Sequence, residues 1–286
     1  YKGNGIGRVI SIFSFVGKLF CNYRKYLNNF KPDVVIASST YPLDIYPAHR
    51  IAKHYHAKLI YEVHDLWPLS PMELGGFSEK HPFIRLMQKA EIDCYKYVDA
   101  VVSMLPKAEP HMREYGLTKG KFHYVPNGIV LSDWGSPKSI SEEHGLLLNK
   151  LRKEGKFIVG FAGAHGIANS LYAVIDAVAM LGSQDVVLVL VGSGQEKDNL
   201  VKYVQKKGIK NIYFLPPINK LEIPLLLKEM DVLYIGLQKQ SLFRFGISPN
   251  KMFDYMMAEK PIIQAIDAGN NLVKEANCGI DVEPDN

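Results

Sequence analysis

The chain has 286 residues, 47% of them hydrophobic and 22% charged. That describes a globular protein with room for two domains of ordinary size. No apolar run reaches the ~18 residues that a bilayer-spanning helix needs, and no signal-peptide pattern opens the sequence. Cys21, Cys94 and Cys278 are spaced for neither a zinc site nor a disulfide framework, so they read as buried thiols in a reducing cytoplasm. The net charge of +5 is local. Residues 1–31 carry Lys2, Arg8, Lys18, Arg24, Lys25 and Lys31 and no acid, six of the 34 basic residues, and the remaining 28 face 29 acidic ones.

Short apolar strands alternate with amphipathic helices along the whole chain. The first half predicts helices near 5–29, 43–55, 82–97 and 107–115 and strands at 33–37, 58–64, 100–103 and 122–125. Turn formers in 126–137 break the periodicity and mark a crossing between domains, followed by a short helix before residue 157. The second half predicts strands at 157–163, 186–191, 211–214, 231–236 and 261–265, with helices near 170–182, 195–207, 221–229 and 249–258. Such alternation builds parallel sheets from βαβ units, with ligand loops at the carboxyl ends of the strands. There is no repeat and no low-complexity tract.

Five segments could carry chemistry. In the N-terminal one, Ile6, Val9, Ile10, Phe13, Val16, Leu19, Phe20, Tyr23 and Leu27 recur at helical intervals opposite a basic face. This is a membrane-surface pattern, and equally that of a helix packed on a sheet with solvated lysines. Tyr61-Glu-Val-His-Asp-Leu-Trp-Pro68 ends a strand with three ionisable residues in four positions. Alternation puts Glu62 and His64 on one face and Val63 and Asp65 on the other. Phe161-Ala-Gly-Ala-His-Gly-Ile-Ala-Asn-Ser170 is a strand, a glycine loop and a helix start. It lacks the G-x-G-x-x-G spacing of a dinucleotide fingerprint, and a phosphate contact and a plain turn are both open to it. Val191-Gly-Ser-Gly194 is a second strand-to-helix turn, whose glycines would leave room for a nucleotide. In Arg244–Pro261, Ser248 reads as an N-cap and Pro249 as a first-turn proline. The exposed N–H groups and positive end of that helix could hold a phosphate, with Lys251 beside them and Asp254 one turn on to accept from sugar hydroxyls. No basic patch or motif points to nucleic acid.

Taken in order, Glu62-Val-His-Asp-Leu-Trp-Pro68, Val125-Pro-Asn-Gly128, Gly163-Ala-His-Gly-Ile-Ala-Asn-Ser170, Gly192-Ser-Gly194 and Ser248-Pro-Asn-Lys251 with Asp254 resemble a retaining glycosyltransferase of family 4. The likeness is to the bacterial surface-polysaccharide branch that includes N-acetylfucosaminyl transferases, and it spans nearly the whole chain. It implies a GT-B fold, an α/β architecture of two Rossmann-like parallel-sheet domains facing a cleft. Residues 1–130 would be an incomplete acceptor-side domain and residues 131–286 a nucleotide-sugar-binding domain without its C-terminal helix. A family member would have on the order of 80 further residues before Tyr1, by usual domain sizes.

The resemblance also implies site roles. His64 and Asp65 would be the catalytic candidates. Gly163, His165, Asn169, Gly192, Gly194, Arg244, Ser248, Asn250, Lys251 and Asp254 would bind a nucleotide-sugar donor, most simply a UDP-sugar. No cofactor and no metal are expected. The acceptor would be a polyprenyl-diphosphate-linked glycan reached at the cytoplasmic membrane surface. Two positions depart from the family. Most members have an Arg and a Lys in the 163–170 loop, where this chain has Ala164 and Asn169. Of two family glutamates seven residues apart, the first falls on Gly246 and the second on Asp254. Lys251, with Arg244, would then supply the positive charge. A GT-B UDP-sugar epimerase and a non-catalytic nucleotide-sugar-binding protein are the alternatives.

Overall fold

The computed structural model describes residues 6–284. Lys2, the expected helix start at residue 5, the side chain of Ile6 and the last two residues of the second domain lie outside the described part. The chain divides into two compact units. One comprises the residues up to Pro126 together with Arg244–Ile247, and the other Asn127–Phe243 with the residues from Ser248 onward. Arg244–Ile247, expected in the second domain, belong with the first unit. Phe245 packs against that unit's core, and its carbonyl accepts from the Lys107 N–H at 2.9 Å.

The first unit runs α1 (Ile6–Leu27), β1 (Val34–Ala37), α2 (Ile45–Tyr55), β2 (Lys58–Val63), α3 (Leu69–Gly75), α4 (Pro82–Tyr97), β3 (Ala100–Ser103), α5 (Glu109–Glu114) and β4 (Phe122–Tyr124). Its four strands are parallel in the order β1-β2-β3-β4. Leu59, Tyr61 and Val63 alternate inward from β2 and meet Val101 of β3 in one core. Helix α3 was not expected, because seven residues with Pro71 in the first turn offer no sustained period.

The buried strip of α1 differs from the expected one. Ile12 and Tyr23 are buried and Val16 and Leu19 partly so, a one-face series at i, i+4, i+7 and i+11. Ile10, Phe13 and Phe20 instead remain 63%, 46% and 37% exposed. The helix carries more apolar residues than one strip can bury, so periodicity alone did not decide which strip packs.

The second unit runs α6 (Leu131–Gly135), α7 (Glu142–Lys153), β5 (Phe157–Ala162), α8 (Leu171–Met180), β6 (Val186–Val191), α9 (Lys197–Lys206), β7 (Ile212–Leu215), α10 (Ile223–Lys228), β8 (Val232–Gly236), α11 (Asn250–Met257), β9 (Ile262–Ala265), α12 (Leu272–Ala276) and β10 (Gly279–Asp281). All six strands are parallel, in the order β10-β9-β8-β5-β6-β7. The sheet grows from β5 through β6 and β7 to one side, then returns through β8, β9 and β10 to the other. Between β5 and β8 the winding therefore reverses. In open α/β sheets the crevice outside the carboxyl ends at such a point is where ligands bind.

Candidate functional site

Three loops of the second unit leave the carboxyl ends of β5, β6 and β8 around this reversal. The first two are locked together through backbone. The Gly163 N–H donates to Val191 O at 3.0 Å, His165 N–H to Ser193 O at 2.8 Å, and Glu196 N–H to His165 O at 3.0 Å. Contacts this close require glycine. Gly192 has φ +147°, and a Cβ on it would lie 1.9 Å from Gly163 O; one on Gly194 would lie 2.3 Å from His165 O. Lys197 ties the β6 loop down, its Nζ donating to the carbonyls of Gly192 and Leu215 at 2.9 Å each. A cavity of about 310 Å³ opens over these loops, walled by Gly163, Ala164, Gly192 and Ser193 and by the apolar Pro217, Ile218 and Ile223.

His165, expected among the donor contacts, is fully buried beneath the loops. Its ring lies 6.1 Å from Phe161 and 6.2 Å from Phe214, and neither ring nitrogen has a hydrogen-bond partner among the described residues. Burial, reinforced by the Lys197 and Lys251 charges, brings its pKa down to about 4 and keeps the imidazole neutral. The side chain supports the loops from below, and only its backbone links them.

Lys251 projects from the first turn of α11 into the β5 loop. Its Nζ donates to Asn169 Oδ1 at 2.6 Å, while Asn169 Nδ2 donates to Ala164 O at 3.0 Å. The ammonium also lies 4.5 Å from the Phe161 ring centroid and 3.3 Å from where a Cβ on Gly163 would be. Burial draws its pKa down to about 8. The Lys251 cation thus reaches the loop from the first turn of α11, where Met252 N–H donates to Pro249 O at 3.0 Å and no side chain caps the helix.

Ser248 is not the N-cap. Helix α11 begins at Asn250 with Pro249 in the capping position, and buried Ser248 is held by Asn127 instead. Asn127 N–H donates to Ser248 Oγ at 2.9 Å, and Asn127 Nδ2 donates to the Ser248 carbonyl. The Ser248 hydroxyl therefore fixes the approach to the helix and leaves the helix N–H groups uncapped. Asp254, half-buried one turn on from Asn250, accepts from Trp134 Nε1 at 3.4 Å. Burial raises its pKa, opposed by the Trp134 bond and by Lys220, which pairs with Asp133 at 2.7 Å. Arg244 belongs to the first unit, where it forms a two-pronged ion pair with Glu73 at 2.6 and 2.9 Å.

In the first unit, β2 stops at Val63, and His64 and Asp65 follow it. His64 Nε2 lies 3.2 Å from Ser38 Oγ at the end of β1 and 3.6 Å from Glu62 Oε2, and Ser38 also bonds Glu62. The expected Glu62–His64 face is thus formed, and Ser38 joins it. Asp65 turns to a separate cavity shared with Arg8 and Trp67.

Sequence reasoning missed four supporting residues: Ser38, Asn127, Trp134 and Lys197. Asn127 lay within the Val-Pro-Asn-Gly motif. The other three stood in stretches with no spacing signal, and only the folded contacts single them out.

The comparisons agree with this architecture. Residues 9–133 match the model of Glycosyltransferase Family 4, and residues 147–286 match that of Glycosyl transferases group 1. No curated protein sequence matches. Among solved structures, Anabaena HepE in complex with UDP and glucose is 17% identical with a TM-score of 0.64, covering 95% of this chain and 68% of its own. Sucrose-phosphate synthase of Thermosynechococcus elongatus is 16% identical with a TM-score of 0.66, over 96% and 66%. The lipopolysaccharide outer core galactosyltransferase WaaB is 15% identical with a TM-score of 0.56, over 96% and 68%. With both family models matched and two parallel-sheet units in place, the chain belongs to glycosyltransferase family 4 and has the GT-B fold.

Proposed function

We propose that this chain moves a hexosyl or N-acetylhexosaminyl group from a UDP-sugar, with retention of configuration, to a lipid-linked glycan in surface polysaccharide or lipopolysaccharide synthesis, working as a peripheral protein at the inner membrane face. The observation that carries the donor side is the convergence of Lys251 and the start of α11 on the Gly163–Asn169 loop at the sheet's reversal point. HepE, similar in fold, is described with UDP bound, and WaaB acts in lipopolysaccharide synthesis, which favours the same substrate classes here. No helix among the described residues is long and apolar enough to cross a membrane.

The diphosphate lies at the α11 start in this reading, beside Asn250 and Lys251 and under Gly163, with the nucleoside in the cavity walled by Pro217, Ile218 and Ile223. Asp254 takes the ribose hydroxyls. The bond from the sugar's anomeric carbon to the diphosphate oxygen breaks with its electron pair left on the diphosphate. Helix N–H groups and the Lys251 ammonium stabilise that charge, so no metal is required. The acceptor oxygen bonds the anomeric carbon on the face just vacated, and its proton leaves with the diphosphate. His64, held by Ser38 and Glu62, positions sugar or acceptor hydroxyls, with Asp65 the other candidate.

Incubating the chain with isotopically labelled UDP-glucose, UDP-galactose and UDP-N-acetylglucosamine, with and without an undecaprenyl-diphosphate-linked sugar, tests this reading. An acceptor-dependent product with the donor's anomeric configuration, formed equally in EDTA, is expected. Epimerised UDP-sugar without acceptor would make the chain an epimerase, and an inverted product would overturn the retaining assignment.

A further inference from the structure

Strand register brings Ser38 to His64. In the parallel pairing of β1 and β2, Ala37 lies opposite Tyr61, so the next residue, Ser38, comes level with Glu62. Alternation then puts His64 on the face of Glu62, two residues on. The turns that carry both side chains are anchored. Ser39 N–H donates to Oδ2 of the buried Asp44 at 3.1 Å, which fixes the turn after β1. The buried Ser103 Oγ donates to the Val63 carbonyl at 2.9 Å, which fixes the backbone just before His64.

The three side chains admit one pattern of hydrogens. A carboxylate only accepts, so the Ser38 hydroxyl donates to Glu62 Oε2. That hydroxyl has a single hydrogen, so towards His64 Nε2, 3.2 Å away, Ser38 Oγ can only accept. Nε2 therefore carries the ring hydrogen, and Nδ1 of the neutral imidazole is left as a lone-pair acceptor. Glu62 Oε2, 3.6 Å from the same Nε2, favours a hydrogen there. Nδ1 has no partner among the described residues and is not sealed from solvent, and the His64 side chain is 34% exposed. The cluster is not a nucleophile triad. Hydroxyl and carboxylate crowd one ring nitrogen here, whereas a triad sets them on opposite nitrogens.

We propose that Ser38 is a positioning residue: with Glu62 it fixes His64 as the Nε2–H tautomer, so that Nδ1 accepts a hydrogen bond from an alcohol hydroxyl of the sugar donor or of the sugar acceptor. The proposal rests on the transferase reading and states which atom of His64 meets the substrate and what sets it. It also carries a specificity. A substrate with a hydroxyl at that place is held, and one with an ether or a fluorine on the same carbon sets lone pair against lone pair and is disfavoured.

Nitrogen-15 spectra of the histidine-labelled chain test this at about pH 8, where a histidine is ordinarily neutral. His64→Asn assigns the His64 signals among the nine histidines. The free chain should carry the hydrogen on Nε2, and a hydrogen on Nδ1 would overturn the proposal. UDP-glucose, UDP-galactose or UDP-N-acetylglucosamine, or a farnesyl-diphosphate-linked N-acetylglucosamine, should shift the Nδ1 resonance saturably, and UDP alone should not. A response to a UDP-sugar assigns the hydroxyl to the donor, and a response to the lipid-linked sugar assigns it to the acceptor. No shift with any of the four, or an equal shift with UDP, would overturn the proposal. Ser38→Ala should raise the half-saturating concentration of the responding sugar about three- to tenfold, and Ser38→Thr, which keeps the hydroxyl, should restore it to within about twofold. Because Ser38 is exposed, the alanine variant is expected to fold, and circular dichroism checks this. Equal half-saturation in Ser38→Ala and the unmodified chain would overturn the role of Ser38. UDP binding by the unmodified chain is measured in parallel by calorimetry. UDP binding with an unresponsive Nδ1 removes the Ser38 and His64 assignment alone, and failure to bind UDP removes the transferase reading instead.

Discussion

Lys251 reaches from α11 to Asn169 on the β5 loop, with 2.6 Å between Nζ and Oδ1. Most relatives by resemblance carry cations within that loop, and this chain has Ala164 and Asn169 there. The cation is delivered from a neighbouring element, and Asn169 serves as its clip.

The clip predicts an effect of Asn169 on affinity. Asn169→Ala should leave Lys251 charged but unanchored and weaken UDP by about three- to tenfold, in line with ~0.5–1.5 kcal/mol for a hydrogen bond and more when charged. Asn169→Lys should place two ammonium groups together and lower the thermal midpoint of the free protein while UDP restores it. Differential scanning calorimetry with and without UDP checks both.

The buried ammonium sets a pH dependence. With its pKa near 8, Lys251 loses its proton between pH 7 and 9 in the free protein. The charged form favours the diphosphate, so UDP affinity should fall roughly tenfold from pH 7 to pH 9. Stability of the free protein runs the other way. The unfolded chain, with a lysine pKa of ~10.4, binds more protons than the folded one between pH 8 and 10, so this group's contribution rises with pH there. In Lys251→Met both trends should flatten in isothermal titration and pH-resolved melts.

His165 predicts acid sensitivity. Its folded pKa of about 4 lies below the usual 6.5, so the unfolded state takes up the extra proton as pH falls. Stability should be lost progressively from about pH 6.5 to 4, by roughly 3 kcal/mol at most. Replacing His165 by Phe should remove that part of the acid slope in urea titrations from pH 4 to 7. An unchanged slope would mean that the imidazole titrates alike in the folded and unfolded states.

The glycine contact between loops predicts a steric result. Gly192→Ala puts a methyl 1.9 Å from the Gly163 carbonyl. The loops must separate, so UDP binding should be lost together with several degrees of thermal midpoint, and Gly208→Ala, with open space around it, should cost only its φ +65° strain. Parallel melts and UDP titrations compare the two.

Asp254 predicts a ribose signature. The wild-type chain should prefer UDP to 2′,3′-dideoxy-UDP, and Asp254→Ala should bind both alike. Trp134→Phe should fall between them, because it removes the bond that holds the carboxylate.

Much of this was legible in the residues, for definable reasons. The buried strands of both sheets read as apolar runs bounded by turn formers, and the strand-to-helix turns at Gly163, Gly192 and Gly194 and the helix start at Lys251 were legible because βα turns and helix starts have local signatures. What failed was the partner of each signal. Ser248 fitted an N-cap by composition, yet Asn127, 121 residues away, takes its hydroxyl. Arg244 stood near Lys251 in sequence, but Phe245 anchors that stretch in the first unit's core. His165 sat in a ligand-like loop, and only packing between Phe161 and Phe214 shows that its ring points inward. The α1 face was ambiguous because its apolar residues exceed one strip.

The most direct test of the donor site is calorimetric titration of the chain and its Lys251→Ala variant with UDP at pH 7, alongside circular dichroism. Saturable binding at one site by the wild type, weakened tenfold or more in the folded variant in keeping with ~1.5–3 kcal/mol for a charge-assisted hydrogen bond, is the predicted result. Equal affinity in the two, or no binding of UDP by the wild type, would contradict the account.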